Sequence, residues 1–323
     1  MRDHGGNLDW AIDHFGGAAG EWIDLSTGIN RCPYPVPDLP ASCWSALPTQ
    51  SALAGLIRAA AEAYGTDTGA AIAAVSGAQM AIQMIPRLAP PGTARVLGPT
   101  YNEHAAALRG AGWQVDEVAA LADLAGADLA VVVNPNNPDG RHHEPEALLN
   151  LKSTVGWLIV DESFADPVPP LSLARHAGQR GLVLLRSFGK FYGLAGLRLG
   201  FVIGHPEEIA AFRDMAGPWP VSGSAIEIGR AALGDRAWAE ATRRRLAGEA
   251  QQMDVLAAAA GWRRVGGTAL FRLYDTGDAR AAQSRLAKER IWSRRFPHAA
   301  GWLRLGLPGD AAEWDRLRRA LGA

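Results

Sequence analysis

The strongest restriction on the fold is an alternation. From 71 to 160, short apolar runs give way in turn to stretches with helical spacing. Ala71–Val75, 95–97, Gln114–Val118, Leu129–Val133 and 157–160 read as strands, and 78–88, 103–109 and 144–151 as helices. Several of these strands are apolar throughout, as burial on both faces requires. The chain therefore predicts an α/β fold, a mostly parallel sheet with helices on either side. In such sheets ligands sit at the carboxyl ends of the strands. A helix opening at Ser51, with Leu53, Leu56, Ile57 and Ala60 on one face, leads in and stops at Gly65, where glycine can take the left-handed conformation.

Two further strands follow, 181–185 and 200–203, and then the alternation ends. A helix over 207–216 is broken at 218–220 by prolines, and an Ala- and Arg-rich helical stretch runs from 224 to about 260 with an interruption at Gly234. Three short strands (262–265, 269–273, 302–305) and helices near 278–288 and Ala311–Leu321 predict a smaller α+β domain. Upstream lies a Gly- and Pro-rich arm in which Pro33, Pro35 and Pro37 exclude helix interior. The expected division is an arm over 1–45, a large domain over 46–217 and a small domain over 218–323. Trp10, Trp44, Trp219 and Trp302 lie in apolar settings and read as packing residues, and Arg243, Arg244 and Arg245 as the wet face of a helix.

Lys and Arg number 32 and Asp and Glu 33, a formal net charge of -1. That balance makes no electrostatic case for nucleic acid or an anionic membrane. Cys32 and Cys43 lack metal-ligand spacing and no histidine cluster accompanies them, so neither a metal site nor a disulfide framework is expected, and a reducing cytoplasm fits. The N-terminus carries Asp3, His4 and Asp9 without an apolar h-region, and no apolar run approaches ~18 residues. Neither a signal peptide nor a membrane span is expected.

Several predicted strand ends carry groups that an apolar core does not need. After Val75 comes Ser76-Gly77-Ala78-Gln79, a glycine turn opening a helix; its N–H groups suit an anion, although an ordinary strand-to-helix turn uses the same residues. After Val133 comes Asn134-Pro135-Asn136-Asn137-Pro138-Asp139-Gly140, either a rigid set of amide donors or simply a Pro-stiffened loop. Asp161 ends an apolar strand, where a carboxylate needs a cationic partner. Ser187 and Lys190 end the next, and a glycine-rich segment leads on to Arg198. Lys190 by itself reads equally as a desolvated nucleophile able to form a Schiff base and as a solvated turn residue. Jointly, the set fits one ligand, pyridoxal phosphate. Its phosphate would lie on Gly77, Ala78, Gln79, Ser187 and Arg198, its aldehyde on Lys190, its ring nitrogen on Asp161 and its phenolic oxygen on Asn137. A carboxylate beside the ring nitrogen keeps it protonated, each pKa unit being ~1.4 kcal/mol, and the protonated ring is an electron sink for Cα.

Asn-Pro-x-Asn-Pro-x-Gly, Asp-Glu, Arg-Ser-x-x-Lys and Gly-Leu-Arg-Leu-Gly, in this order and spacing, resemble the fold type I pyridoxal phosphate enzymes of the class I/II aminotransferase group, from roughly Gly28 to the C-terminus. The resemblance implies a homodimer and roles residue by residue. Lys190 carries the cofactor, Asp161 pairs with the ring nitrogen, and Asn137 serves the ring oxygen and the substrate. Arg198 and Ser187 hold the cofactor phosphate. Tyr101 stacks on the ring as a third catalytic residue, and Arg304 grips the substrate carboxylate. Two departures stand out: Phe164 where most of the group carry a tyrosine, and Leu47-Pro48-Thr49 where many carry Tyr-Pro-Asp, so the cross-subunit phosphate contact of that tyrosine is expected to be absent.

The arm narrows the resemblance. His4-Gly5-Gly6-Asn7, Asp24-Leu25-Ser26 with Gly28-Ile29-Asn30, the Asp-Glu-x-Phe starting at Asp161, and Leu-Arg-Ser-x-x-Lys-Phe-Tyr are similar to the L-threonine-O-3-phosphate decarboxylases of cobalamin biosynthesis. This implies an arm folded over the active site, with His4 and Asn30 near the substrate phosphate. Family members place an arginine for that phosphate directly after an isoleucine like Ile291; here Trp292 stands there, and the role is assigned to Arg294. The implied reaction converts L-threonine O-3-phosphate to (R)-1-aminopropan-2-ol O-2-phosphate. A histidinol-phosphate-type aminotransferase is the alternative. A nucleotide-binding scaffold is a third reading, and the lack of a GxGxxG between strand and helix speaks against it.

Overall fold

The computed structural model describes residues 4–322. The chain gathers into two compact units. One comprises the chain up to Pro33, Pro138–Arg141 and everything from Ala241 onward; the other comprises Tyr34–Asn137 and His142–Glu240.

In the first unit the arm is not irregular throughout, because Leu8–Phe15 is a helix. The Asn7 side chain accepts from the Trp10 N–H at 3.3 Å and caps its start, and Gly16 ends it at φ 73°. Its apolar residues Leu8, Ala11, Ile12 and Phe15 pack with Trp22, Ala287 and Trp292. The strand β1 (Ile23–Asp24) follows.

The second unit is built on seven strands: β2 (Ala71–Val75), β3 (Thr93–Leu97), β4 (Gln114–Val118), β5 (Leu129–Val133), β6 (Trp157–Asp161), β7 (Leu182–Ser187) and β8 (Gly200–Gly204). Their spatial order is β2-β8-β7-β6-β5-β3-β4. The neighbours from β7 to β4 are parallel, and β8 runs antiparallel to both β2 and β7. Every residue of β5 is buried, and burying a Val or Leu side chain contributes ~1.5–3 kcal/mol, so this strand has no polar alternation. A parallel return from β7 to β8 would need a crossover helix. The link holds only a one-turn helix, Phe188–Phe191, and a 3-10 turn at Ala195–Leu197, so the chain doubles back. The amino end of β8 consequently lies beside the carboxyl ends of β2 and β7, with Gly200 paired to both Val75 and Ser187.

The helices follow the sequence pattern with two adjustments. The helix expected over 78–88 is α-helical only over Ala78–Met84, because Pro86 has no N–H to donate and Ile85–Arg87 tightens into a 3-10 turn. The long stretch from 224 does break near Gly234, into Gly223–Gly234 and Arg236–Ala259. Beneath the sheet, buried Arg186 bonds Glu162 at 2.8 Å and Asp166 at 2.6 Å and lies 4.3 Å from the Tyr64 ring centroid. Burial opposes its charge, but the two acids outweigh that and hold its pKa above the usual value.

Returning to the first unit, β9 (Arg263–Thr268), β10 (Phe271–Asp275), β11 (Ile291–Trp292), β12 (Arg294–Phe296) and β13 (Ala299–Gly306) complete the strands. Four of them form an antiparallel sheet in the order β12-β13-β10-β9, and β11 pairs parallel with β1 through Ile23 and Ile291. Segment Pro138–Arg141 lies backbone to backbone on β9: a Cβ on Gly140 would sit 2.1 Å from the Gly267 oxygen, and one on Gly266 would sit 2.0 Å from the Asp139 oxygen, so only glycine fits at either place. Among the described residues no helix is long and apolar enough to cross a membrane.

Candidate active site

The expected cofactor residues all fall in the second unit, at one end of its sheet. Gly77 follows β2, Tyr101 follows β3, Asn137 follows β5, and Asp161 and Ser187 end β6 and β7. Lys190 lies in the one-turn helix after β7, and Arg198 lies two residues before β8. The register fixes this grouping, since Asp161 pairs with Val133 on one side and Leu185 on the other.

The phosphate cradle is visible in its glycines. Gly77 caps the helix Ala78–Met84 at φ 81°, and a Cβ there would meet Arg198 Nη2 at 2.6 Å. A Cβ on Gly200 would meet the Ala78 nitrogen at 2.5 Å. Any larger residue would therefore fill the space between the guanidinium and the first-turn N–H groups of Ala78 and Gln79, which have no partner within the helix. Arg198 takes a left-handed conformation, φ 55°, uncommon outside glycine, and its Nη1 donates to the Ala195 oxygen at 3.0 Å.

Asp161 is only 3% exposed. His104 Nε2 lies 2.9 Å from its Oδ2, and Ser163 donates to Oδ1 from its backbone N–H and its hydroxyl. Burial pushes this carboxyl up, but the bonds from His104 and Ser163 outweigh burial and hold it below its ordinary value. His104 was not anticipated, because a histidine in the first turn of a short Ala-rich helix, Glu103–Gly110, gives no periodic sign of burial. Its sequence position three residues after Tyr101 was the available signal.

The Tyr101 hydroxyl donates to Gln79 Oε1 at 3.1 Å, and Gln79 Nε2 donates to Glu103 at 3.1 Å. Two of the three turn asparagines serve the loops: Asn134 exchanges bonds with His143, and Asn136 accepts from Thr100 Oγ1 at 2.6 Å and donates to the Pro99 oxygen at 3.0 Å. Asn137, the third, is half-buried. Lys190 Nζ lies 5.7 Å from the ring centroid of Phe164, which is buried.

The expected substrate residues His4, Asn30, Arg294 and Arg304 fall in the first unit. Arg304 is buried, donates from Nη2 to the Ser26 oxygen at 2.7 Å and lies 5.1 Å from the Phe271 ring centroid. Arg294 is its direct partner across β12 and β13. Burial and the Arg294 charge push Arg304 down to about 9, with Asp24 opposing. Two guanidiniums facing each other across strands repel, and an anion bound between them would relieve the repulsion. A cavity of about 170 Å³ is lined by His4, Asn7, Ser293, Arg294 and Arg295, among others, and among the described residues no Asp or Glu lines it.

Asn30 is buried, and its Oδ1 accepts from the Cys32 N–H at 3.0 Å and from Arg245 Nη2 at 2.8 Å. The reading of Arg245 as a merely wet helix face is corrected here: it also bonds Glu249 at 2.6 Å and is half-buried. Trp44 and Trp219 are likewise not core residues, being 71% and 54% exposed.

A seven-stranded mixed sheet carrying a lysine, a buried aspartate and an anion cradle at one end defines a class of enzyme rather than a single activity. The chain belongs to the class I and II aminotransferase family, whose model matches residues 42–321. Along nearly its whole length it is similar to threonine-phosphate decarboxylases. That of Sinorhizobium sp is 45% identical over 98% of this chain and 97% of that protein, and that of Pseudomonas aeruginosa is 42% identical over 99% and 97%. In fold it matches the histidinol-phosphate aminotransferase of Sinorhizobium meliloti in complex with pyridoxal-5'-phosphate, with a TM-score of 0.82 over 99% of this chain and 94% of that one at 21% identity. Pyridoxal phosphate, which the family implies, fits the residues present. The glycine cradle under Arg198 suits its phosphate, and an ionised, buried Asp161 suits a protonated ring nitrogen.

Proposed function

We propose that the chain is a pyridoxal phosphate-dependent decarboxylase of L-threonine O-3-phosphate, forming (R)-1-aminopropan-2-ol O-2-phosphate in cobalamin biosynthesis. The observation that carries this reading is the match to decarboxylases of that name along 98% and 99% of the chain, arm included. Bound pyridoxal phosphate supplies an electron sink for the pair left at Cα when CO2 departs. Lys190 Nζ anchors the cofactor and, once displaced by the substrate amine, holds a proton to return to Cα. Asp161, kept ionised by His104 and Ser163, holds the proton on the ring nitrogen. Arg304 binds the substrate carboxylate, and His4, Asn30 and Arg294 bind its phosphate. Fixing those two substituents fixes which bond at Cα is presented for cleavage. Phe164 places an apolar ring beside Lys190 where a hydroxyl donor is more usual in the group.

The test is incubation of the protein with pyridoxal phosphate and L-threonine phosphate alone. CO2 and the phosphorylated amine are expected in equal amounts. Turnover only with histidinol phosphate and 2-oxoglutarate would make the chain an aminotransferase. A substitution checks Arg304 separately. Arg304→Gln is expected to raise KM for L-threonine phosphate at least about tenfold, with kcat changing less. An unchanged KM in that variant would remove Arg304 from carboxylate binding.

The enzyme acts in the cytoplasm as a homodimer. Val36, Trp44, Leu47, Met80 and Trp219 are large apolar side chains exposed on the second unit, and a second copy of the chain would cover such residues. Wild-type protein is expected to sediment at about twice 34.2 kDa, and a Trp44→Arg, Trp219→Arg double variant at half that. A wild-type monomer would end the dimer assignment.

A further inference from the structure

We infer that Arg295, held by Gln283, is a second guanidinium for the substrate phosphate, and that this pair sets the preference of the chain for a phosphate dianion. The inference rests on the decarboxylase reading for the identity of the substrate, and on the first unit alone for the residues.

Gln283 lies on the helix Ala279–Lys288 and is 6% exposed. Its Nε2 donates to the Ser293 backbone oxygen at 2.6 Å, and its Oε1 accepts from Arg295 Nε at 2.6 Å. An amide buried to this degree is costly unless both its ends are bonded, and an apolar side chain would fill the same space without that cost. Its chemistry points outward, to Arg295. Arg295 itself is exposed, and an exposed arginine ordinarily samples many rotamers. Here one nitrogen is fixed by a residue that is itself fixed to the backbone, so the plane of the guanidinium is set before any ligand arrives.

The setting selects the ligand. Arg295 lines the same cavity as His4, Asn7 and Arg294, and among the described residues no carboxylate lines it. Arg294 already faces a like charge, Arg304, across the strand pair. Two guanidiniums and an imidazole suit a dianion better than a carboxylate monoanion. A phosphate monoester, with its second pKa near ~6, is such a dianion at neutral pH and presents three acceptor oxygens.

Arg295→Gln in the holoenzyme is expected to raise KM for L-threonine phosphate at least about tenfold, with kcat within about twofold of wild type. Gln283→Met is expected to raise KM severalfold, and to add nothing in the Arg295→Gln background, because it acts through Arg295. Calorimetric titration of the holoenzyme with inorganic phosphate gives a readout independent of turnover, and its Kd is expected to weaken in the same variants. Normal wild-type turnover with KM and phosphate Kd unchanged in Arg295→Gln would overturn the inference. No wild-type turnover, but phosphate binding weakened by Arg295→Gln, would preserve the phosphate site and overturn the decarboxylase reading. Absence of both would overturn both.

Discussion

Lys190→Ala is expected to lose at least about 10⁴-fold in kcat for CO2 release and to lack the absorbance near the visible edge that a lysine-bound cofactor gives. The size of the loss follows from two tasks on one nitrogen, anchoring the cofactor and returning a proton to Cα. Lys190 lies in the turn of helix just beyond β7, and the neighbouring Phe164 ring cannot move a proton in its place. Circular dichroism of the variant should match wild type, since Lys190 is only partly buried and takes part in no ladder of the sheet. Added methylamine should restore a small part of the rate. A variant with appreciable unaided turnover would show that another group carries the cofactor.

Asp161→Asn is expected to cost about 10²–10³-fold in kcat, the magnitude seen when a fixed electrostatic partner of a reacting system is removed. Asparagine keeps the shape but cannot hold a proton on the ring nitrogen. His104→Leu should produce a smaller loss in the same parameter, because His104 acts through its bond to Asp161. The sign of the acid limb follows as well. His104 and Ser163 depress the Asp161 pKa below its ordinary value, so Asp161 stays ionised as pH falls to 5, and a decline in kcat between pH 7 and 5 reports a different group. Equal rates for wild type and Asp161→Asn would detach Asp161 from the chemistry.

The parallel sheet was legible because β5, β6 and β7 are almost wholly apolar and are bounded by Gly, Pro, Asn and Asp, a pattern that burial on both faces imposes. The cofactor residues were legible for a related reason: Asp161 ends a wholly apolar run, and Ser187 and Lys190 follow an apolar run closed by Arg186. The first unit was harder to read. The helix Leu8–Phe15 is hidden between Gly5, Gly6, Gly16 and Gly17, which look like coil but act as its boundaries. The strands β11 and β12 are two and three residues long, and the polar run Ser293, Arg294, Arg295 separates the first from the second and fills most of the second, so no alternation marks them. Residues that act through another residue left no sign in the periodicity. Gln283, Arg245 and His104 lie on helices where amphipathic spacing allows a polar side chain, and only the fold shows that each orients a group elsewhere.

The pairing of β1 with β11 has a consequence for biosynthesis. Ile23 leaves the ribosome early, but its ladder partner Ile291 is translated roughly 270 residues later, a delay of about 13–55 s at ~5–20 residues per second. Through that interval Trp22 and the apolar face of the helix Leu8–Phe15 have none of the Ala287 and Trp292 surface on which they finally pack. The arm is therefore made well before the surface on which it seats, and the segment carrying His4 and Asn30 waits for that surface to be translated. A premature stop anywhere before Ala287 would leave that segment without its docking surface.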